Sequence, residues 1–144
     1  MTIRTKPLAC LALAALTLQG ASAPAQSQAA TTSAEKRVDV SLKYDASTPP
    51  VPVGINLPIP DPVVLSKSQK QKAHWYLSPK GIGKLTIEMK QQTPFKSPAY
   101  NAGDETVSDV PAAAAPDGDY AYKITVELKN GTKLTLDPII KITP

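Results

Sequence analysis

Cysteine is all but missing from this chain of 144 residues: Cys10 is the only one, and it lies inside an apolar run near the start. No disulfide framework and no thiolate metal cluster can be built from it. Histidine is as scarce. His74 stands alone, and one imidazole cannot furnish a metal's coordination sphere. A copper-carrying sandwich, which needs a cysteine and two histidines, is excluded by count. Arginine occurs only at positions 4 and 37, with one tryptophan and one phenylalanine. The stacking platforms and guanidinium forks that hold nucleic acid therefore have little support in the sequence. The longest apolar run, Leu8–Leu18, has 11 residues, well short of the ~20 a membrane-spanning helix needs. There is no Gly-x-Ser-x-Gly elbow to present a nucleophile. Gly81-Ile82-Gly83 is too short for a phosphate cradle and leads into a strand pattern, not a helix.

The first 25 residues read as a targeting segment. Arg4 and Lys6 give a positive start, Leu8–Leu18 an apolar centre, and Gly20-Ala21-Ser22-Ala23-Pro24-Ala25 a small-residue end. That order is the secretory signal pattern. Cleavage after Ala23 would leave Pro24 first; cleavage after Ala25 leaves Gln26 and is preferred. Leu8-Ala9-Cys10 resembles a lipoprotein box, but too little apolar sequence separates Lys6 from Cys10 for that route, so no stable membrane anchor is expected. The mature chain then lacks cysteine, and in an oxidising compartment its core must hold unaided. A periplasmic or secreted location follows. Residues 26–34 (QSQAATTSA) are small, polar and aperiodic, a disordered leader before a folded domain over 35–144.

With the signal removed, 14 basic side chains face 12 acidic ones, about +2 in place of +4. The charges are unevenly placed. Seven lysines and only Glu88 as acid fall between Lys67 and Lys96; five acids and no base fall between Asp104 and Asp119. Such asymmetry can orient a molecule toward a charged partner. Lys67, Lys70 and Lys72 are candidates for meeting anionic lipid or a cell-wall polymer, against the simpler reading of a solvated surface.

Alternation of apolar and polar residues is what the chain has in plenty. Val38, Val40, Leu42 and Tyr44 point one way in Arg37–Tyr44, as a half-buried strand requires. Thr48–Pro62 holds six prolines, between which Val51, Val53, Ile55, Leu57 and Ile59 also alternate. Proline cannot donate to a ladder, so this segment is an edge strand or a polyproline-II stretch over the core. Extended and pre-ordered, it is also a candidate partner surface. Ala73–Ser78 and Lys84–Lys90 read as a hairpin around Pro79–Gly83. Residues 91–118 are loop-like, with a short edge strand at Thr106–Val110. Tyr120, Tyr122, Ile124, Val126 and Leu128 line one face of a strand that turns at Asn130-Gly131, as a tight primed turn prefers. Leu134 and Leu136 lie on the return, which Asp137-Pro138 interrupts as a bulge before Ile139–Ile142.

Short strands without helical periodicity indicate an all-β antiparallel sandwich of about seven strands. Asp117-Gly118-Asp119-Tyr120-Ala121-Tyr122 resembles the tyrosine corner of immunoglobulin-like Greek-key domains. The resemblance spans about 37–142 and implies that Tyr120 bonds back to the chain just upstream. It also implies that Tyr122 holds a place taken by cysteine in antibody domains, with Trp75 as the core tryptophan. The ending Asp137-Pro138-x-Ile-x-Ile is similar to that of small exported proteins of Gram-negative bacteria. A fold of this kind names no activity.

The residues favour a non-catalytic domain without cofactor that binds a protein or cell-envelope component, not nucleic acid. The alternative is a hydrolase or enzyme accessory using Asp104, Glu105, Asp109, Asp117 and Asp119 as a carboxylate or calcium site at a loop end. None of their spacings matches the twelve-residue calcium loop. His74, beside Trp75, reads most simply as a strand residue.

Overall fold

In the computed structural model, residues 34–144 are described; the signal segment and residues 26–33 of the leader lie outside them. Among the described residues ten strands follow one another without a helix. They are β1 (Glu35–Tyr44), β2 (Pro52–Ile55), β3 (Val63–Ser66), β4 (Lys72–Ser78), β5 (Gly83–Met89), β6 (Ala99–Ala102), β7 (Glu105–Val107), β8 (Gly118–Leu128), β9 (Lys133–Leu136) and β10 (Ile139–Thr143). One sheet has the order β2-β1-β4-β7; the other runs β3-β10-β8-β5-β6, with β9 also paired to β8.

The alternation read from the sequence is the reason two sheets close over one core. Val38, Val40 and Leu42 of β1 and Ala73, Trp75 and Leu77 of β4 are buried from one side. Leu85, Ile87, Tyr120, Tyr122, Ile124, Val126, Leu128, Ile140 and Ile142 are buried from the other. At roughly 1.5–3 kcal/mol for each large apolar side chain removed from water, this layer outweighs any surface contact described below.

Several expectations change. The sheets are mixed, not purely antiparallel: β1 runs parallel to β4 and β3 parallel to β10. The proline-rich stretch is the cause. It carries the chain off β1, along the sheet edge and across to β3 in the second sheet, so β4 re-enters beside β1 in the same direction. Ten strands replace about seven because β3 and β6 carry too little apolar alternation to be seen. Val63 and Leu65 are the only inward residues of β3, and Ala99–Ala102 has none that is buried. The expected hairpin of Ala73–Ser78 with Lys84–Lys90 does not form. Residues 79–82 instead pass from one sheet to the other, and β5 pairs with β6 and β8. Tyr44 is exposed, because the register slips between Lys43 and Tyr44.

The C-terminal hairpin is present, but its turn is not a primed one. Only Gly131 has positive φ (84°); Asn130 does not. The Gly131 N–H donates to the Leu128 carbonyl at 2.9 Å and the Leu128 N–H to the Thr132 carbonyl at 2.8 Å. This is a three-residue loop closed by a left-handed glycine. Beyond the Asp137-Pro138 interruption, β10 returns to the same edge of β8 that β9 occupies.

Candidate functional site

The outward face of the first sheet gathers the most polar contacts. Register places Arg37 beside His74 and Asp39 beside Tyr76. His74 Nδ1 lies 3.0 Å from Glu35 Oε2 and 2.8 Å from the Tyr76 hydroxyl. Its ring stacks on Tyr76 at 4.0 Å, and the Arg37 guanidinium sits 4.3 Å from the Tyr76 ring centre. Glu105 Oε2 is 3.8 Å from His74 Nε2. Imidazole, phenol and guanidinium thus brace three neighbouring strands. Among the described residues the polar contacts of the ring are to two carboxylates and a phenol, and none is to a serine or threonine hydroxyl.

The five carboxylates of the acidic stretch do not converge. Asp104 accepts the Gly81 N–H at 2.7 Å, holding the sheet-to-sheet crossing. Glu105 faces His74. Asp109 accepts from the Ser97 N–H and the Tyr100 hydroxyl, both at 3.0 Å, and so pins the 91–118 segment. Burial works to raise the Asp109 carboxyl, but those hydrogen bonds and the nearby Lys96 outweigh it and hold it below the usual carboxylate range. Burial chiefly, with the Asp109 charge, pushes the Tyr100 phenol up to about 12. Asp117 pairs with Lys67 at 2.7 Å, and Asp119 stands across the ladder from Lys141. Among the described residues no three His, Cys, Asp or Glu side chains come together as a metal would require.

The lysine trio also separates. Lys67 Nζ donates to the Ala115 carbonyl at 2.8 Å and pairs with Asp117, so it ties two loops together. Lys70 occupies a tight turn at φ 51°. Lys72 begins β4 and is half-buried opposite Glu35. Because β4 runs away from Lys72 toward Ser78, the later lysines Lys80 and Lys84 lie at the other end of the sandwich. These five lysines therefore do not form one continuous patch.

The aromatic residues singled out in the sequence, Trp75, Tyr120 and Tyr122, lie in the core. Trp75 and Tyr122 are wholly buried and meet across the two sheets, ring centres 5.8 Å apart, with Trp75 Nε1 3.4 Å from the Tyr122 hydroxyl. The Tyr120 hydroxyl donates to the Pro116 carbonyl at 2.7 Å.

What remains is the proline-rich edge. Of the seven large apolar residues left exposed in the described chain, Tyr44, Val51, Val53, Leu57 and Ile59 fall within sixteen consecutive positions. Such clustering separates them from the isolated surface hydrophobics every protein carries. Val53 is 53 % exposed, Leu57 61 % and Ile59 70 %; only Ile55 of the alternating set turns inward. Local bonds rather than packing hold this segment out. Asp45 accepts from Ser47 and from the Val51 N–H, Asn56 donates through its side chain to Ser41 and Leu42, and Ile59 exchanges both backbone bonds with Asp39. The hydrogen bonds from Ser47 and Val51 pull the Asp45 carboxyl below its usual range despite partial desolvation. Apolar side chains are thus presented to water on a fixed backbone.

Comparison with protein-family models, curated proteins and solved structures finds no match.

Proposed function

We propose that this is an exported, non-catalytic domain of immunoglobulin-like type that binds a protein or cell-envelope partner through its proline-rich edge. The clustered exposure of Val51, Val53, Leu57 and Ile59 carries this reading, since grouped apolar side chains left in water mark an interaction surface. Asp104, Asp109, Asp117 and His74 are each engaged in contacts that brace the fold, which supports the binding reading over the hydrolase alternative.

The immunoglobulin-like assignment is supported by pairing and by the corner. Strands β4 and β7 pair in one sheet, and β5, β8 and β9 in the other, an arrangement equivalent to B with E and C-F-G. Tyr120 bonds back four residues upstream. Trp75 lies on β4, the strand matched to B, and not on the strand matched to C where the resemblance expects the core tryptophan; there it meets Tyr122 across the two sheets, as the B–F disulfide would. Strand β1, parallel to β4, lies outside that scheme.

The test is capture of envelope proteins on the immobilised mature chain, beside the double variant Val53→Glu/Leu57→Glu and the variant Lys70→Gln/Lys72→Gln. The edge variant, confirmed as folded, is expected to lose at least ten-fold of a protein that the parent and the lysine variant both retain. Equal retention by all three would remove the edge from the account.

A further inference from the structure

The end of the sandwich where β4 and β8 finish is built from loop tips that carry lysines. Lys80 lies on the crossing from β4 to β5, Lys84 near the start of β5, and Lys129 and Lys133 on the hairpin from β8 to β9. Two adjoining hollows open on this end and share Gly81, Leu128 and Lys129. The larger, of about 500 Å³, is lined by Pro52, Pro79, Ile82 and Leu128 and bordered by Lys80 and Lys129. The smaller, of about 450 Å³, places Lys84 and Lys129 beside Asp104 and Glu127.

Both carboxylates are already engaged. Asp104 accepts the Gly81 N–H at 2.7 Å, and Glu127 pairs with Lys133 at 3.5 Å. Lys80, Lys84 and Lys129 are exposed, and among the described residues no carboxylate pairs with them. Three unpaired lysines against Asp104 alone leave the hollows a formal charge of +2. The backbone of the tips is engaged as well: the Gly131 N–H donates to the Leu128 carbonyl and the Leu128 N–H to the Thr132 carbonyl. What this end offers a partner is therefore point charge on flexible stems around an apolar hollow, and neither asks for a fixed direction of approach.

Independently of the proline-rich edge, we propose that this end is a peripheral docking surface for an anionic lipid bilayer. Lys80, Lys84 and Lys129 meet headgroup phosphates, while Pro52, Pro79 and Ile82 lie against the interface without spanning it. A plane of mobile anions suits the site because it rewards charge and apolar contact and needs no backbone donor or guanidinium fork. Each lysine brought close to such a surface contributes about five-fold in affinity, and the attraction fades within a Debye length.

The probe is co-sedimentation of the mature chain with vesicles of phosphatidylcholine mixed with phosphatidylglycerol, beside vesicles of phosphatidylcholine alone. Lys80→Gln/Lys84→Gln/Lys129→Gln is compared with Lys70→Gln/Lys72→Gln/Lys141→Gln, which removes the same charge at the opposite end; thermal melts confirm that both fold. Binding to the mixed vesicles is expected to be at least ten-fold tighter than to the neutral ones and to weaken as salt rises. The first variant should lose at least ten-fold of that affinity, and the second about two-fold or less. Absence of binding to the mixed vesicles, equal losses from the two variants, or equal affinity for both kinds of vesicle would overturn the bilayer as occupant. A poly-glutamate resin stands in for an acidic protein. Retention on the resin that the first variant loses, beside vesicles that do not bind, would reject lipid and assign this end to such a protein. The capture experiment on the proline-rich edge is separate, since neither lysine variant alters an apolar residue of 51–59.

Discussion

Tyr120 ends in one hydroxyl whose bond fixes where the 91–118 segment rejoins the second sheet. Replacing Tyr120 by Phe keeps the ring and leaves the Pro116 carbonyl without its donor. The expected loss is about 1 kcal/mol of unfolding free energy, read from urea denaturation with unchanged slope. Tyr122 gives a pH signature. Burial raises its phenol from 10.0 to about 12, so the folded state favours the neutral form. Its contribution is complete below pH 10 and is lost as pH climbs from 10 toward 12. That loss is on the order of 2 kcal/mol, and melting temperatures should fall across this window together with phenolate absorbance. These two side chains were legible in the sequence because a Gly-x-Tyr-x-Tyr start on a long strand leaves few other roles. The bracing of His74 by Glu35 was not, because it depends on a parallel pairing that local pattern does not encode.

At the scale of elements, the contact of β5 with β8 spans the centre of the second sheet. A Cβ at Gly83 would run into the Glu127 backbone carbonyl, and rigid backbone cannot yield as a side-chain end would. Gly83→Ala is therefore expected to destabilise by about 1–3 kcal/mol, as overpacking does. Gly103→Ala, whose Cβ meets open space, should be close to neutral. Thermal melts of the pair check this, and equal effects would contradict the close approach. Strands with five alternating apolar residues, such as β8, were readable from periodicity alone. Strand β3 was masked by the prolines before it. Strand β6 exists because β5 offers it an edge, a tertiary fact absent from its own four residues. The misread hairpin around Pro79–Gly83 has the same origin: a short turn between two amphipathic strands serves a hairpin or a crossing between sheets, and only the partners of β5 decide.

On the scale of the whole molecule, two sheets close over one apolar layer while one side, from Tyr44 to Ile59, stays apolar and wet. The edge position of the proline-rich stretch was legible because proline excludes a central strand. The outward turn of Val53, Leu57 and Ile59 was not, since their alternation equally fits a buried face. Sequence proximity from Lys67 to Lys72 does not reveal that Lys67 is engaged by a loop 48 residues away. The export reading predicts that the chain recovered from the periplasm or medium of a Gram-negative host begins at Gln26 or, failing that, Pro24. Intact mass decides this; a cytosolic product retaining Met1 would contradict it. The most direct test of the account is an amide-exchange footprint of the mature domain with the partner recovered in the capture experiment. Slowed exchange centred on residues 51–59 is expected, with the His74 face and Lys67–Lys72 unchanged. Protection at either of those places, and none along 51–59, would contradict the assignment of the proline-rich edge as the binding surface.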